Sequence, residues 1–175
     1  MKIPQLDKYA KDARAWSDWS RINYTASLEL FKSDNLVLWF PAAVLGHHAL
    51  EMYLKTALIC EGMTRFDPKL IPKLDPTIGL TKADCAWGHE LVKLAEQLSY
   101  KRDDFDLATP LNLPPFPIPD MPNSLRDGFD FFEPFSSELP YPKEMQRLSG
   151  VGQEQALVLV QLFMLLQPFA NRVSP

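Results

Sequence analysis

Apolar residues return every three to four positions along the start of the chain. Leu6, Tyr9, Ala13, Trp16, Tyr24, Leu28 and Phe31, with Ser27 among them, share one face of a helix predicted from about Gln5 to Ser33. The opposite side reads as charged and wet. Ser33, Asp34 and Asn35 break this pattern and offer an N-cap for a second helix, which is joined tightly and is expected to pack antiparallel to the first.

That second helix, Pro41 to Gly62, is apolar around most of its surface. Ala42, Leu45, Ala49, Met52, Thr56 and Ile59 form one seam, and Leu50, Tyr53, Leu54 and Ala57 extend the apolar character around the side. Only a narrow arc is polar, and it holds His47, His48, Glu51 and Lys55. Pro41 falls close enough to the start of the helix to be tolerated or to kink it.

Pro68, Pro72 and Pro76 exclude a long helix between Thr64 and Asp84. From Gly88 the pattern turns helical again, with Leu91, Leu94, Ala95 and Leu98 on one face. Thr109 to Pro122 carries six prolines with Leu111, Leu113, Phe116 and Ile118 between them, which predicts an extended segment lying against the body. Leu125, Phe129 and Phe132 mark a short helix bounded by Pro134, Pro140 and Pro142. The last helix, Gly150 to Asn171, is apolar around almost its whole circumference, so one neighbour cannot cover it. The Pro-rich segment or a second subunit is expected to do so, and a homodimer through this helix is the expected assembly.

No alternating strand pattern and no repeat occurs. The fold class is therefore all-α: a four- to five-helix up-down bundle with a Pro-rich extended segment packed on it, forming a single domain over residues 1–175. A chain of this length buries roughly 70% of its unfolded surface and needs no disulfide framework. Cys60 and Cys85 stand in no CxxC arrangement and read as reduced thiols.

The net charge of -4 argues against a broad footprint on duplex DNA, which needs many cations against phosphates. The N-terminus has no uninterrupted apolar run of the secretory kind. The longest apolar stretch, Ala156 to Leu166, is interrupted only by Gln161 and is shorter than the ~20 residues of a membrane span. A cytoplasmic protein with no membrane association is expected.

Three histidines, His47, His48 and His89, invite a metal reading. Adjacent helical residues point about 100° apart and the HExxH spacing is absent, so no metal and no cofactor is expected. Glu51 precedes Lys55 by four residues, the order that favours an intrahelical ion pair. The plain reading of that pair is a solvated bridge at the margin of the core; the functional one makes it an acid-base set with His48. His89, at a predicted helix start, either caps that helix or approaches the His48/Glu51 stripe to complete a polar pocket. Phosphate-cradling glycine loops and a nucleophile elbow are missing. Trp16, Trp19, Tyr24 and Trp39 read as packing residues before they read as a platform for bases.

The order of these elements resembles the HEPN family (higher eukaryotes and prokaryotes nucleotide-binding domains). The resemblance lies in Ala49 to Ala57, similar to its (H/A)-x-x-E-x-x-L-K-A stretch, in Gly88 to Leu91, similar to its G-H-x-L helix start, and in Tyr141 with Pro142 before the last helix. It implies a helical bundle that often dimerises, from a family associated with RNA cleavage in toxin and defence systems and with non-catalytic binding members. Catalytic members carry R-x(4-6)-H in the last helix. Here the last helix has no histidine, so ribonuclease activity of that type is not expected.

The expectation is thus a non-catalytic binding and dimerisation module for RNA, a nucleotide or a protein partner, in a toxin-antitoxin or defence-type setting. Its groove runs beside His48, Glu51, Lys55 and His89, with Arg65 or Lys82 at the rim. The alternatives are an enzyme acting on a nucleotide or RNA through the His48/Glu51/Lys55 stripe, and a pure protein-interaction scaffold.

Overall fold

A computed structural model describes residues 4–62, 89–114, 121–135 and 153–171, with side chains from residue 13 onward. Arg65, Lys82, Cys85, Gly88, Tyr141, Pro142, the Pro68–Pro76 loop and the centre of the Pro-rich segment lie outside the described residues. Within them the chain forms five α-helices: α1 (Pro4–Phe31), α2 (Trp39–Cys60), α3 (Leu91–Lys101), α4 (Leu125–Phe132) and α5 (Gln153–Ala170). Strands are absent from the described residues, apart from one isolated bridge between Pro110 and Ser124. The described residues are all-α.

Local chemistry sets the helix ends. The Asn35 side chain accepts a hydrogen bond from the Val37 N–H at 3.1 Å and so caps a short 3₁₀ turn, Leu36–Leu38, rather than α2 itself. α2 begins directly after that turn, with Pro41 inside its first turn, where the missing N–H costs no intrahelical bond. Gly62, at φ 84°, takes the left-handed conformation that closes α2. Ser124 and Asp127 form a reciprocal capping box on α4. α3 starts at Leu91, later than the expected Gly88, and its Val92 N–H is satisfied from a distance by the Glu133 carboxylate at 2.9 Å.

α1 and α2 run antiparallel, as expected. Buried Ser20 and Ser27 of α1 donate hydrogen bonds to the carbonyls of Ala49 and Ala42 of α2, each at 2.7 Å, so position numbers fall on one helix as they rise on the other. The strict up-down order does not continue. His89, before α3, meets Glu51, and Arg102, after it, meets Glu61, so α3 lies parallel to α2.

α5 also runs alongside α2. A Cβ on Gly46 would stand 3.2 Å from Leu159 and 2.9 Å from Phe132, which makes Gly46 the crossing point of α2 with α4 and α5. Farther along, Phe163 stacks on Tyr53.

Most of the apolar surface of α5 is covered within the chain. Val158, Leu159, Leu162, Phe163, Leu166 and Phe169 are buried, while Leu157 and Met164 remain exposed. Leu111, from the Pro-rich stretch, is buried beside Gly128 of α4. The outward side of α1 differs from expectation: Trp19 and Ile22 are 59% and 55% exposed on a face that reads as charged.

Candidate functional site

Residues three and four apart on a helix share a face, so α2 presents His47, His48, Glu51 and Lys55 together. The structure then closes that face over. Glu51 and Lys55 are 6% and 5% exposed, which corrects the expectation of a solvated pair. The cause is tertiary. α3 lies parallel alongside, bringing His89 over Glu51, and the ring of Trp16 from α1 covers the Lys55 ammonium at 5.3 Å, a cation–π contact.

All four residues of the expected groove meet at the Glu51 carboxylate. Lys55 Nζ donates to Oε1 at 2.6 Å, and the His89 Nδ1–H donates to the same oxygen at 2.9 Å. Oε2 faces His48 Nδ1 at 3.8 Å and His47 Nε2 at 3.9 Å. Two adjacent imidazoles, expected to diverge, therefore approach one oxygen, since they stand three and four residues before the same glutamate. Of the two readings of His89, the packing places its ring on Glu51; α3 is capped from Glu133 instead.

His47 is the member that the sequence ranks too low. It is fully buried, and its Nδ1 lies 2.9 Å from the Phe132 carbonyl at the end of α4. A carbonyl only accepts, so Nδ1 carries the proton, and Nε2 is left inside the protein without a hydrogen-bond partner. The i,i+4 spacing to Glu51 is the one sequence signal for this role. Trp16, Phe132 and Glu133 come from distant segments and leave none.

Electrostatics follow from this enclosure. Burial alone pushes the Glu51 carboxyl up, but His48 and Lys55, with His89 behind them, outweigh it and hold the group at about 2. Glu51 is thus an anion at any ordinary pH, balanced by Lys55. Desolvation moves His47 the other way, below its ordinary 6.5, and outweighs the pull of the Phe132 carbonyl and of Glu51. The result is a neutral buried base beside a fixed carboxylate. Only His48, at 29% side-chain exposure, and His89, at 55%, connect the cluster to solvent. Among the described residues no group of three or more His, Cys, Asp or Glu has metal-binding geometry.

The other flank of α2 is aromatic. Phe163 is sandwiched between Tyr24 and Tyr53, with ring centroids 4.0 and 4.4 Å away and planes within 14° and 11° of parallel. Tyr53 Oη and Arg21 Nη2 both donate to Asn171 Oδ1, at 3.3 and 2.7 Å. Of the other aromatics, Trp39 donates its indole N–H to the Ser33 carbonyl at 2.9 Å, and Trp19 stands in solvent.

No family model, no curated protein and no solved structure matches this chain. No helix among the described residues is long and apolar enough to cross a membrane.

Proposed function

We propose that this protein is a non-catalytic binding module of HEPN-like architecture, acting as a homodimer and taking a nucleotide or RNA phosphate at the His48/His89 rim. Glu51 and Lys55 form the floor of that site. The supporting observation is the convergence of His48, Lys55 and His89, from segments 38 residues apart in the chain, on one buried carboxylate.

Lys55 neutralises Glu51 and is itself covered by Trp16, so it contributes charge rather than contact. The groups left for a ligand are imidazole nitrogens. With His89 Nδ1 spent on Glu51, its Nε2 is the outward donor once the ring is protonated, and this donor chemistry suits a phosphate oxygen.

A thermal-shift scan of mononucleotides and short RNAs, with product analysis on the same samples, tests the reading. A saturating phosphate-bearing ligand at a hundred times its Kd stabilises by about 2.7 kcal/mol. The expected pattern is stabilisation without product, lost in His48→Ala and His89→Ala. Turnover that disappears in His48→Ala establishes the enzyme reading instead. No shift with any of these ligands removes the nucleotide reading and leaves a protein partner.

A further inference from the structure

The Glu51 carboxylate uses its two oxygens unequally. Oε1 accepts from both Lys55 and His89, whereas among the described residues no donor stands within hydrogen-bond length of Oε2. His48 Nδ1 and His47 Nε2 come nearest, at 3.8 and 3.9 Å. The second of these is itself an acceptor. With the His47 proton on Nδ1 and donated to the Phe132 carbonyl, Nε2 presents a bare lone pair, buried without a hydrogen-bond partner.

Two acceptors thus face each other across a gap too wide for a direct bond. Protonation turns Nε2 into a donor, but burial holds this imidazole below its ordinary 6.5, so at neutral pH both atoms remain acceptors. What completes such a pair is one atom that carries two hydrogens.

We propose that this acceptor pair reads the exocyclic amino group of a nucleobase, so that the site takes cytosine or adenine in preference to uracil or hypoxanthine. The inference rests on the nucleotide reading above and adds the base to the phosphate.

An amino group offers one hydrogen to Glu51 Oε2 and the other to His47 Nε2. Carboxylates accept from the cytosine amino group in the same way where proteins read bases directly. In cytosine and adenine the amino group adjoins an acceptor ring nitrogen, and His48, beside Oε2, supplies an imidazole N–H for it. Uracil and hypoxanthine carry a carbonyl oxygen at that position. Set against a carboxylate oxygen and a bare imidazole nitrogen, it brings three acceptors together and leaves each unpaired in a buried place. Selection is therefore by exclusion as much as by attraction.

The way in passes His48 and His89, the members of the cluster open to solvent, so an entering base moves one of these rings aside. Free nucleotides and unpaired RNA bases expose the edge in question. Water also carries two hydrogens and satisfies the same pair, so the deciding comparison is between ligands that differ along this edge alone.

Cytidine and uridine monophosphate are such ligands, and adenosine and inosine monophosphate form a second pair. Calorimetric titration of the full chain with all four, at neutral pH, tests the proposal. The amino member of each pair is expected to bind about tenfold tighter or more. His47→Asn, too short to place an acceptor at the Nε2 position, narrows that ratio, and Glu51→Gln, whose carboxamide can donate, levels or reverses it. Circular dichroism verifies that each variant is folded, and the wild-type ratio alone decides where one is not. Equal binding within both pairs, or tighter binding of the carbonyl members, overturns the proposal and leaves the phosphate reading in place. So does a preference that survives both variants. Binding of none of the four removes the phosphate reading and this one together.

Discussion

The two flanks of α2 are held by opposite physics. On one, Tyr24, Phe163 and Tyr53 stack ring on ring, and stability scales with apolar area removed from water. On the other, Glu51 holds Lys55 inside the protein with the half-exposed His89 above it, and stability depends on the buried charges keeping their partners. Loss of a ring from the first flank costs area. Loss of one charge from the second strands another in a place where water cannot reach it, so a single deletion costs more than the pair itself is worth.

Glu51→Ala is the hardest test of that difference. It removes the acceptor of two donors and is expected to cost about 3–5 kcal/mol in urea unfolding. The double change Glu51→Met with Lys55→Met is expected to cost much less, because no unpaired charge remains. A double variant no better than Glu51→Ala would show that shape, not charge balance, governs this flank.

Acid and base separate the flanks next. Glu51 sits at about 2 against an ordinary 4.5, so its contribution is complete above pH 4.5 and is lost as pH falls toward 2. At 1.36 kcal/mol per unit the loss is about 3 kcal/mol. His47 is lowered from 6.5, so the unfolded chain takes up its proton first and stability already declines as pH drops below 6.5. His47→Gln, which removes the titrating imidazole, is expected to flatten this upper part of the acid slope. Burial raises the phenols of Tyr24 and Tyr53 above 10, so the aromatic flank weakens as pH rises past 10. Urea midpoints across the pH range, with and without His47→Gln, read all three windows.

Phe163→Leu keeps most of the apolar volume and forfeits the stacking, for about 1 kcal/mol by thermal unfolding. His89→Ala is the mildest change. Its ring is half-exposed and its bond to Glu51 is worth at most about 1 kcal/mol. A larger loss of stability there would make His89 the clip that docks α3 rather than a rim residue.

Parts of this organisation are legible along the chain and parts are not. The 3.6-residue rhythm places the five helices of the described residues, and the spacing of His47, His48, Glu51 and Lys55 puts them on one face without any structure. Periodicity says which residues share a face, but not what comes to lie on that face. Hence Glu51 and Lys55 read as solvated, when Trp16 and His89 lie over them. The parallel run of α3 beside α2 is equally invisible to local pattern, because helix direction is set by how the whole apolar surface is shared out. Trp19 reads as a packing residue, yet the fold brings no core to its side of α1 and leaves it 59% exposed, with Ile22 at 55%.

Local order alone makes this chain helical, sets where its helices lie, and interrupts its most apolar helix with one polar arc. Each of these depends on residues within a few turns of one another, where backbone geometry does the arranging. Only the folded core buries the arc, leaves His47 with a bare nitrogen inside the protein, and brings His89 to Glu51. Those outcomes depend on contacts between segments tens of residues apart, and such contacts are chosen by the packing of the whole core.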